Sequence, residues 1–200
     1  MDPTRPRFDT DGLRDLIQRR RTTMLVDRSR EVPHHVIAEL CELAQWAPNH
    51  KRTWPWRFAV FTGDARGRLG ETLAEQLAAA GVGSEKVEKA RGKYLRTPAV
   101  LAIGTATGDS AERTAENRDA VAAGVQNLLL GATARGLASY WGSCPEVAQN
   151  AVRELCGFEH GTHITALIYL GWANGSVEAP ARPSLNLVIV DFKRTDPQSN

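Results

Sequence analysis

The chain has 200 residues, a length that suits one domain, and its 42% hydrophobic and 24% charged residues are typical of a globular protein. Its 25 basic and 23 acidic residues give a formal charge of +2, a balance that argues against binding to nucleic acid or to a membrane surface through bulk charge. Because no apolar run approaches the roughly 18–20 residues that span a bilayer, and the first residues lack the apolar core of a signal peptide, we expect one cytoplasmic domain over residues 1–200 with a flexible arm at residues 1–9.

The first predicted element is an amphipathic helix that ends in a run of cations. Asp11 can cap this helix, and Leu13, Leu16 and Ile17 form its apolar stripe. The arginines at positions 19–21, followed by threonine, have two interpretations. Cations at a helix C-terminus offset the negative end of the helix dipole, and guanidinium groups beside a hydroxyl also match the oxygens of a phosphate.

A second helix is predicted to begin at Pro33 and to end at Pro48. Its buried face is expected to consist of Val36, Ile37, Leu40, Cys41, Leu43, Ala44 and Ala47. The connection that follows, Ala47–Phe58, contains an imidazole, an ammonium group, guanidinium groups and two indoles, whereas loops between buried elements are usually short, small and polar. Cations bind anions and indoles stack on flat rings, so this loop is predicted to hold a flat, anionic ligand.

The middle of the chain predicts strands that alternate with helices. Residues 58–61 favour a strand, leucines spaced four residues apart favour a third helix, and Ser84 is expected to cap a charged, solvent-facing fourth helix over residues 85–95. The continuous apolar run at 98–104 predicts a strand that is buried on both faces.

The longest predicted helix runs from about residue 113 to residue 135, and Gly136 suits the position just past its end. Alanines and a glycine at 120–124 keep this helix thin, so that another helix can approach closely. It is therefore either a packed core helix or the central helix of a dimer interface.

The last third predicts a short apolar segment at 137–143, a helix, and two strands. Pro145 opens the helix, which turns Val147 inward, and residues 164–171 form a strong strand. Residues 185–192 predict a terminal strand that either joins its own sheet or reaches a partner chain. The order of helices and strands predicts an α/β or α+β layered domain.

The sequence lacks the common motifs for catalysis by its own side chains. It contains no Gly-x-Gly-x-x-Gly fingerprint, no P-loop and no Gly-x-Ser-x-Gly elbow. Cys41, Cys144 and Cys156 have no metal-ligand spacing and are expected to be free thiols, and the pair Glu112 and Glu116 is explained by a solvated helix start. No metal site is predicted, and an enzyme here would need a bound cofactor to supply its chemistry.

Several segments taken together resemble one known family. In chain order they are Arg20-Arg21-Thr22, Ala47-Pro48-Asn49-His50-Lys51, Pro55-Trp56-Arg57-Phe58, Gln126-Asn127-Leu128-Leu129-Leu130, Arg135-Gly136-Leu137, Trp141-Gly142-Ser143 and Tyr169-Leu170-Gly171. From about residue 11 to residue 192, the chain resembles the FMN-dependent nitroreductases, and in particular their compact branch of NAD(P)H nitroreductases. The resemblance implies an α+β fold with a mainly antiparallel or mixed sheet flanked by helices. It also implies an intertwined homodimer with FMN bound at the interface.

The resemblance further implies an activity. Hydride passes from NADH or NADPH to FMN, and electrons then pass in alternation to a nitroaromatic, a quinone or a similar small acceptor. The chemistry takes place at the flavin, so no side chain is expected to be catalytic. Two alternatives stay open: a flavin enzyme of the same fold with other chemistry (enone reduction, dehalogenation or flavin breakdown), and a flavin-binding module without turnover. RNA binding through the cationic segments is the weakest interpretation.

The family pattern also implies roles for individual residues. Arg20, Arg21 and Thr22 would hold the FMN phosphate and ribityl chain, and Trp141, Gly142 and Ser143 correspond to a second flavin-binding segment. Trp46 and His50 stand where the compact branch reaches the flavin of the partner chain, with Lys51 and Arg52 as candidate cations beside the flavin ring. The segment associated with the nicotinamide nucleotide corresponds to Gly131, Ala132, Thr133, Ala134, Arg135 and Gly136.

Some positions depart from the usual family residues. Thr22 stands where serine is usual, and Trp46 stands where the compact branch has arginine. Arg52 and Trp54 replace the asparagine and glutamine that normally contact the flavin, so the face toward the electron acceptor differs from the family pattern.

Overall fold

The computed structural model describes residues 9–190, which contain six α-helices and four β-strands. The helices are α1 (Thr10–Arg19), α2 (His34–Gln45), α3 (Ala65–Ala79), α4 (Ser84–Lys93), α5 (Ala111–Ala134) and α6 (Gln149–Leu155). The strands are β1 (Trp56–Thr62), β2 (Ala99–Thr105), β3 (Leu137–Gly142) and β4 (His163–Trp172). Within this range, no helix is both long enough and apolar enough to cross a membrane.

The four strands form one sheet in the order β1-β2-β4-β3, and all neighbouring strands are antiparallel. All seven residues of β2 are buried, as its continuous apolar run predicts. Because successive side chains of a strand point to opposite faces, Leu101 and Ile103 pack with α2 and α5, whereas Val100 and Ala102 pack with α3 and α6. The predicted α+β fold, a sheet flanked by helices, is confirmed.

Two glycines of α5 allow α2 to pack closely against it. A Cβ atom on Gly124 would lie 2.6 Å from the carbonyl oxygen of Ala44 and 2.5 Å from Nε1 of Trp56. A Cβ atom on Gly131 would lie 2.5 Å from Cδ1 of Leu43. The thin face of the long helix therefore has a role in packing the core, which was one of the two roles that the sequence left open.

Several local predictions were wrong at helix ends. Asp9 caps α1, because its Oδ1 accepts hydrogen bonds from the N–H groups of Asp11 (3.1 Å) and Gly12 (2.9 Å). Asp11 lies inside the helix. In α4 the N-cap is Gly83, and Ser84 is the first helical residue without a side-chain capping bond.

The burial of side chains also differs from the prediction in three places. α4 is not solvent-facing throughout: Val87 and Ala90 are buried, and the helix packs along α3. Val147 was expected to face inward, but it lies in a short 3₁₀ turn before α6 and is 49% exposed. Leu43 is 37% exposed, although its Cδ1 lies against Gly131 of α5.

The C-terminal segment up to residue 190 forms no strand of this sheet, so residues 185–190 do not join the sheet of their own chain. The alternative, that they pair with a partner chain, stays a prediction. Only a single bridge, between Val26 and Ala173, continues the pairing beyond β4 among the described residues. Leu185 is 83% exposed and Val188 is 80% exposed. The last two residues of the predicted strand, and residues 1–8 of the predicted arm, lie outside the described residues.

Candidate functional site

The segment after α1 runs alongside the edge strand β3. Arg20 is the C-cap of α1, and its backbone N–H donates to the carbonyl of Leu16 at 3.2 Å. Thr22 then forms a parallel bridge with Ser139, and the N–H of Thr23 donates to the carbonyl of Ser139 at 2.9 Å. These backbone bonds hold Arg20, Arg21 and Thr22 against one edge of the sheet.

A cluster of guanidinium groups forms beside this edge. A cavity of about 530 Å³ is lined by Arg20, Arg21, Thr22, Val177, Glu178, Pro180 and Arg182. Partial burial, and then the positive charges of Arg21 and Arg182, lower the pKa of Arg20. Like charges that meet in one cavity repel one another, so an anion bound between them would be stabilised. We name Arg20, Arg21, Thr22 and Arg182 the arginine cluster.

Two buried polar atoms next to the arginine cluster lack a hydrogen-bond partner among the described residues. One is Nε of Arg21, whose Nη1 is already bound to backbone carbonyls, and the other is the hydroxyl of Ser139. Buried polar atoms in folded proteins are nearly always paired. The unpaired guanidinium N–H and hydroxyl fit a ligand that offers several anionic oxygens, such as a phosphate ester.

The second predicted flavin-binding segment lies on the same edge. Trp141 and Gly142 pair with Ile168 and Leu167 at the end of β3. Since Ser139 is also on β3, Gly142 lies only about 10 Å along the strand from the bridge to Thr22. The structure thus brings Arg20, Arg21 and Thr22 to the same edge as Trp141, Gly142 and Ser143.

The segment predicted to meet the nicotinamide nucleotide is only partly available. Gly131 and Ala132 are buried against α2, where their small size serves packing, so these two positions cannot contact a ligand directly. Ala134 is exposed. Arg135 pairs with Glu39 at 2.6 Å, and Thr133 and Gly136 line a cavity of about 340 Å³ that Arg21 also borders.

The loop between α2 and β1 has an unusual backbone. Lys51, Arg52 and Trp54 have φ angles of 60°, 53° and 50°, in the left-handed backbone region that residues other than glycine rarely adopt. Asn49 stabilises this shape, because its Oδ1 accepts from the N–H of Trp54 at 2.9 Å and its Nδ2 donates to the hydroxyl of Thr53 at 3.0 Å. Residues 49–54 are called the left-handed loop below.

Side chains of α5 hold the left-handed loop in place. Nδ1 of His50 lies 2.8 Å from Oε1 of Glu116, and Arg113 forms an ion pair with the other oxygen of Glu116. The hydrogen bond from His50, followed by the charges of Arg113, His50 and Lys51, lowers the pKa of Glu116. Glu116 is therefore an anchor for His50, and its interpretation as part of a solvated helix start was wrong.

One chain does not bring all predicted cofactor residues together. His50 meets α5 at Glu116, near the start of the helix, whereas the arginine cluster adjoins Thr133 and Gly136 at its end. These two points are about 26 Å apart along the helix axis, at 1.5 Å per residue. Trp46 lies at the C-cap of α2 and is 84% exposed. Within a single chain, His50, Lys51 and Arg52 are therefore separate from the arginine cluster.

The described residues hold neither clustered metal ligands nor an activated thiol. Between residues 9 and 190, no three His, Cys, Asp or Glu side chains lie close enough to hold a metal ion. The three cysteines are free, and burial raises the pKa of Cys41, Cys144 and Cys156 to about 12 in each case. Such thiols are poor nucleophiles near neutral pH.

One residue of the arginine cluster was missed from the sequence. Arg182 lies about 160 positions after Arg20, in a segment without regular structure. No local pattern in the sequence links Arg182 to the end of α1. The only available signal is a cation directly before Pro183.

Comparison with known proteins gives consistent matches over most of the chain. A sequence model described as the nitroreductase family matches residues 17–172. The protein named "Putative NAD(P)H nitroreductase YfhC" from Bacillus subtilis (strain 168) is 26% identical over 173 residues, which cover 85% of this chain and 89% of that protein.

Solved structures share the fold. A nitroreductase-like family protein from Bacillus cereus has a TM-score of 0.76 at 23% identity, over 92% of this chain and 98% of that one. The FMN-dependent nitroreductase NfnB from Mycobacterium smegmatis, solved in complex with NADPH, has a TM-score of 0.66 at 22% identity, over 86% of this chain and 95% of that one.

Proposed function

The chain belongs to the nitroreductase family, and from this membership we propose that it is an FMN-dependent oxidoreductase with NADH or NADPH as electron donor. It reduces a nitroaromatic, a quinone or a similar small acceptor by an alternating mechanism. The relative from Bacillus subtilis has a name that refers to NAD(P)H, and NfnB was solved as an FMN-dependent enzyme with NADPH, which supports both the cofactor and the donor.

The observation that supports this function most directly is the arginine cluster. It combines three guanidinium groups and a threonine hydroxyl in one cavity, and Nε of Arg21 is buried there without a partner among the described residues. The unpaired hydroxyl of Ser139 lies on the adjoining strand β3. The FMN phosphate carries close to two negative charges and offers several acceptor oxygens to these donors. Each charge-assisted hydrogen bond contributes roughly 1.5–3 kcal/mol. Arg20, Arg21 and Thr22 would hold the phosphate, and Arg182 would close the cavity over it.

The other residues orient the reactants. Bound FMN supplies the redox chemistry, because it accepts hydride from the nicotinamide and passes electrons to the acceptor. Trp141, Gly142 and Ser143 would border the cofactor along β3. Thr133 and Gly136 line the cavity that Arg21 borders, Arg135 is exposed, and these three residues would meet the nucleotide.

A homodimer would complete the site. The apolar stripe of α1 is open to solvent at Leu13 and Ile17, and the tail exposes apolar side chains up to Val190. Large exposed apolar surfaces usually mark an interface. A two-fold partner would cover them, and its own Trp46, His50, Lys51 and Arg52 would reach the flavin whose phosphate the arginine cluster of the first chain holds.

The experiment is direct. Purified protein is expected to be yellow, to elute as a dimer, and to oxidise NADH or NADPH when an acceptor is added. Light scattering on the full chain and on a chain cut after residue 176 tests the dimer, since the shorter chain lacks Arg182 and the exposed tail. A colourless protein that cannot be loaded with FMN would overturn the proposed function.

A second candidate keeps the cofactor and changes the reaction. The left-handed loop has Arg52 and Trp54 where the family usually has amides, and this favours an acceptor of different shape or charge. Enone reduction, dehalogenation and flavin breakdown are the alternatives, and steady-state rates with each class of acceptor separate them. A flavin-binding module without turnover predicts bound FMN that neither nucleotide reduces.

A further inference from the structure

The left-handed loop displays cations and an indole on a backbone that these residues rarely adopt. Lys51, Arg52 and Trp54 all have positive φ, within a span of four residues. L-amino acids are disfavoured in this region, and such strain persists only where the surroundings impose it. Strain of this kind is concentrated at binding and catalytic sites, so the positions of these three side chains call for a functional explanation.

The surroundings that impose this shape are polar and partly buried. Thr53 donates to Oδ1 of Asn117 at 2.6 Å, and Nδ2 of Asn117 donates to the carbonyl of Ala106 at 3.1 Å. Asn117 is only 2% exposed. Together with Asn49, which binds both Thr53 and Trp54, this network fixes the loop at both ends. The loop therefore presents its side chains from a rigid base, as a preorganised binding site does.

The two cations of the loop are available to a ligand. Neither Lys51 nor Arg52 forms an ion pair with any residue of the described range 9–190. Of the two neighbouring carboxylates, Glu116 is occupied by Arg113 and His50, and Asp109 lines a cavity of about 480 Å³ together with Lys51. Positive charge therefore predominates at the tip of the loop.

The indole of Trp54 supplies a flat apolar surface next to these charges. It is 58% exposed, and its ring leans on the buried ring of Trp56 with the centroids 6.3 Å apart and the planes tilted by 51°. An exposed indole that is supported from behind can stack on an aromatic ring at little cost in side-chain entropy.

We propose that the left-handed loop selects flat aromatic acceptors with an anionic substituent: Trp54 stacks on the ring, and Lys51 and Arg52 bind the charge. Aromatic carboxylates and sulfonates that also bear a nitro or quinone group are the corresponding substrate class. This inference rests on the proposed function, because the loop would act on an acceptor at the flavin of the partner chain.

Binding to the oxidised, FMN-loaded protein tests the proposal without turnover. Isothermal titration calorimetry compares 4-nitrobenzoate with 4-nitrobenzamide, which has nearly the same shape and no charge. We expect the carboxylate to bind about tenfold more tightly, the effect of one charge-assisted hydrogen bond. The preference should shrink as salt rises from about 20 mM to about 300 mM, because exposed charges are screened.

Substitutions show which residues cause the preference for 4-nitrobenzoate. Lys51→Gln combined with Arg52→Gln should abolish the preference for the carboxylate, so that the two ligands bind with about equal affinity. Trp54→Leu should weaken the binding of both ligands by a similar factor. Arg68→Gln removes a cation from α3, on the other face of the sheet, and should leave the preference unchanged. Steady-state values of kcat/KM for the two acceptors, taken as a ratio within each variant, should follow the binding data.

The outcomes separate the inference from the proposed function. Yellow protein that binds both ligands equally, or that keeps its preference in the double variant, overturns the inference alone. If the double variant loses FMN, the salt titration of the natural chain decides: a preference that does not change with salt overturns the inference. Protein that cannot bind FMN overturns the proposed function and the inference with it.

Discussion

The hydroxyl of Thr53 donates a hydrogen bond of 2.6 Å to Oδ1 of Asn117, a residue 64 positions further along the chain. The amide of Asn117 in turn donates to the carbonyl of Ala106. One buried side chain of α5 thereby joins the left-handed loop to the segment that follows β2. The shape of the loop thus depends on a residue that belongs to the core of the domain.

Replacing Asn117 with alanine should loosen the loop. The substitution leaves the proton of the Thr53 hydroxyl without its acceptor and the carbonyl of Ala106 without its donor, which costs roughly 1–3 kcal/mol of the free energy of unfolding. Lys51 and Arg52 should then become faster sites for trypsin, as measured by limited proteolysis and mass spectrometry. Asn150→Ala, on the surface of α6, is the matched control. Unchanged cleavage after Lys51 and Arg52 would contradict this role of Asn117.

The double variant Arg20→Ala with Arg21→Ala should bind FMN at least about 100-fold more weakly. Two charge-assisted bonds of roughly 1.5–3 kcal/mol each would be lost. Recovery of flavin fluorescence on dilution measures the change. Arg14→Ala provides the control, because Arg14 lies on the same helix and pairs with Asp11 at 2.8 Å. Equal retention of FMN in both variants would mean that the cations only offset the dipole of α1.

The spacing of apolar residues predicted most of the helices and strands, because it shows which side chains are buried. The apolar run of β2 is buried at every position. Gly136 has a φ of 76° and follows the end of α5, as the preference for glycine just past a helix predicts. Arg20 and Trp141 were assigned through the family resemblance, and the structure brings both segments to one sheet edge. Those assignments to FMN stay predictions, as do the nucleotide segment and the cytoplasmic location.

Interactions between distant residues could not be predicted in the same way. His50 binds Glu116 across 66 positions, and Arg182 reaches Arg20 from a tail without secondary structure. Periodicity describes only neighbours on one helix or strand, so it indicates neither contact. The terminal strand shows a related limit: residues 185–190 are rich in apolar and β-branched residues, but no strand of their own chain lies beside them, and a local pattern does not show which strand is the neighbour.

The glycines of α5 should differ in their response to alanine. Gly124→Ala places a methyl group 2.6 Å from a backbone carbonyl, which cannot move freely, so the free energy of unfolding should fall by about 1–3 kcal/mol. Gly131→Ala meets the movable end of Leu43, and the gain of roughly 1 kcal/mol in helix propensity should make it nearly neutral. Urea unfolding measures both. Gly67→Ala in α3 has open space and should be stabilising; equal effects at 124 and 131 would contradict this packing.

Acid should weaken the interaction between Glu116 and His50, because it protonates the carboxylate of Glu116. The pKa of Glu116 is lowered in the folded chain from its ordinary value of 4.5, mainly by the hydrogen bond with His50. Its carboxylate therefore stabilises the fold above about pH 4.5, and this contribution is lost as the pH falls through the lowered pKa. Glu116→Gln should be less stable than the natural chain near pH 7, and the difference should shrink as the pH falls below about 4.5. Glu75→Gln is the control, and a difference that does not depend on pH would argue against this ion pair.

The side chain of Arg52 should lower the stability of the folded chain while it contributes to the selection of the ligand. With φ of 53°, any residue that has a Cβ is strained at this position, whereas glycine is not. Arg52→Gly and Arg52→Ala both remove the guanidinium group, but only alanine keeps the strain. The glycine variant should therefore be more stable than the alanine variant by about 0.5–1 kcal/mol in urea unfolding. Both variants should lose the same share of the preference for 4-nitrobenzoate over 4-nitrobenzamide. Equal stability of the two would mean that the loop is relaxed at Arg52, and the strain would then give no reason to expect a ligand there.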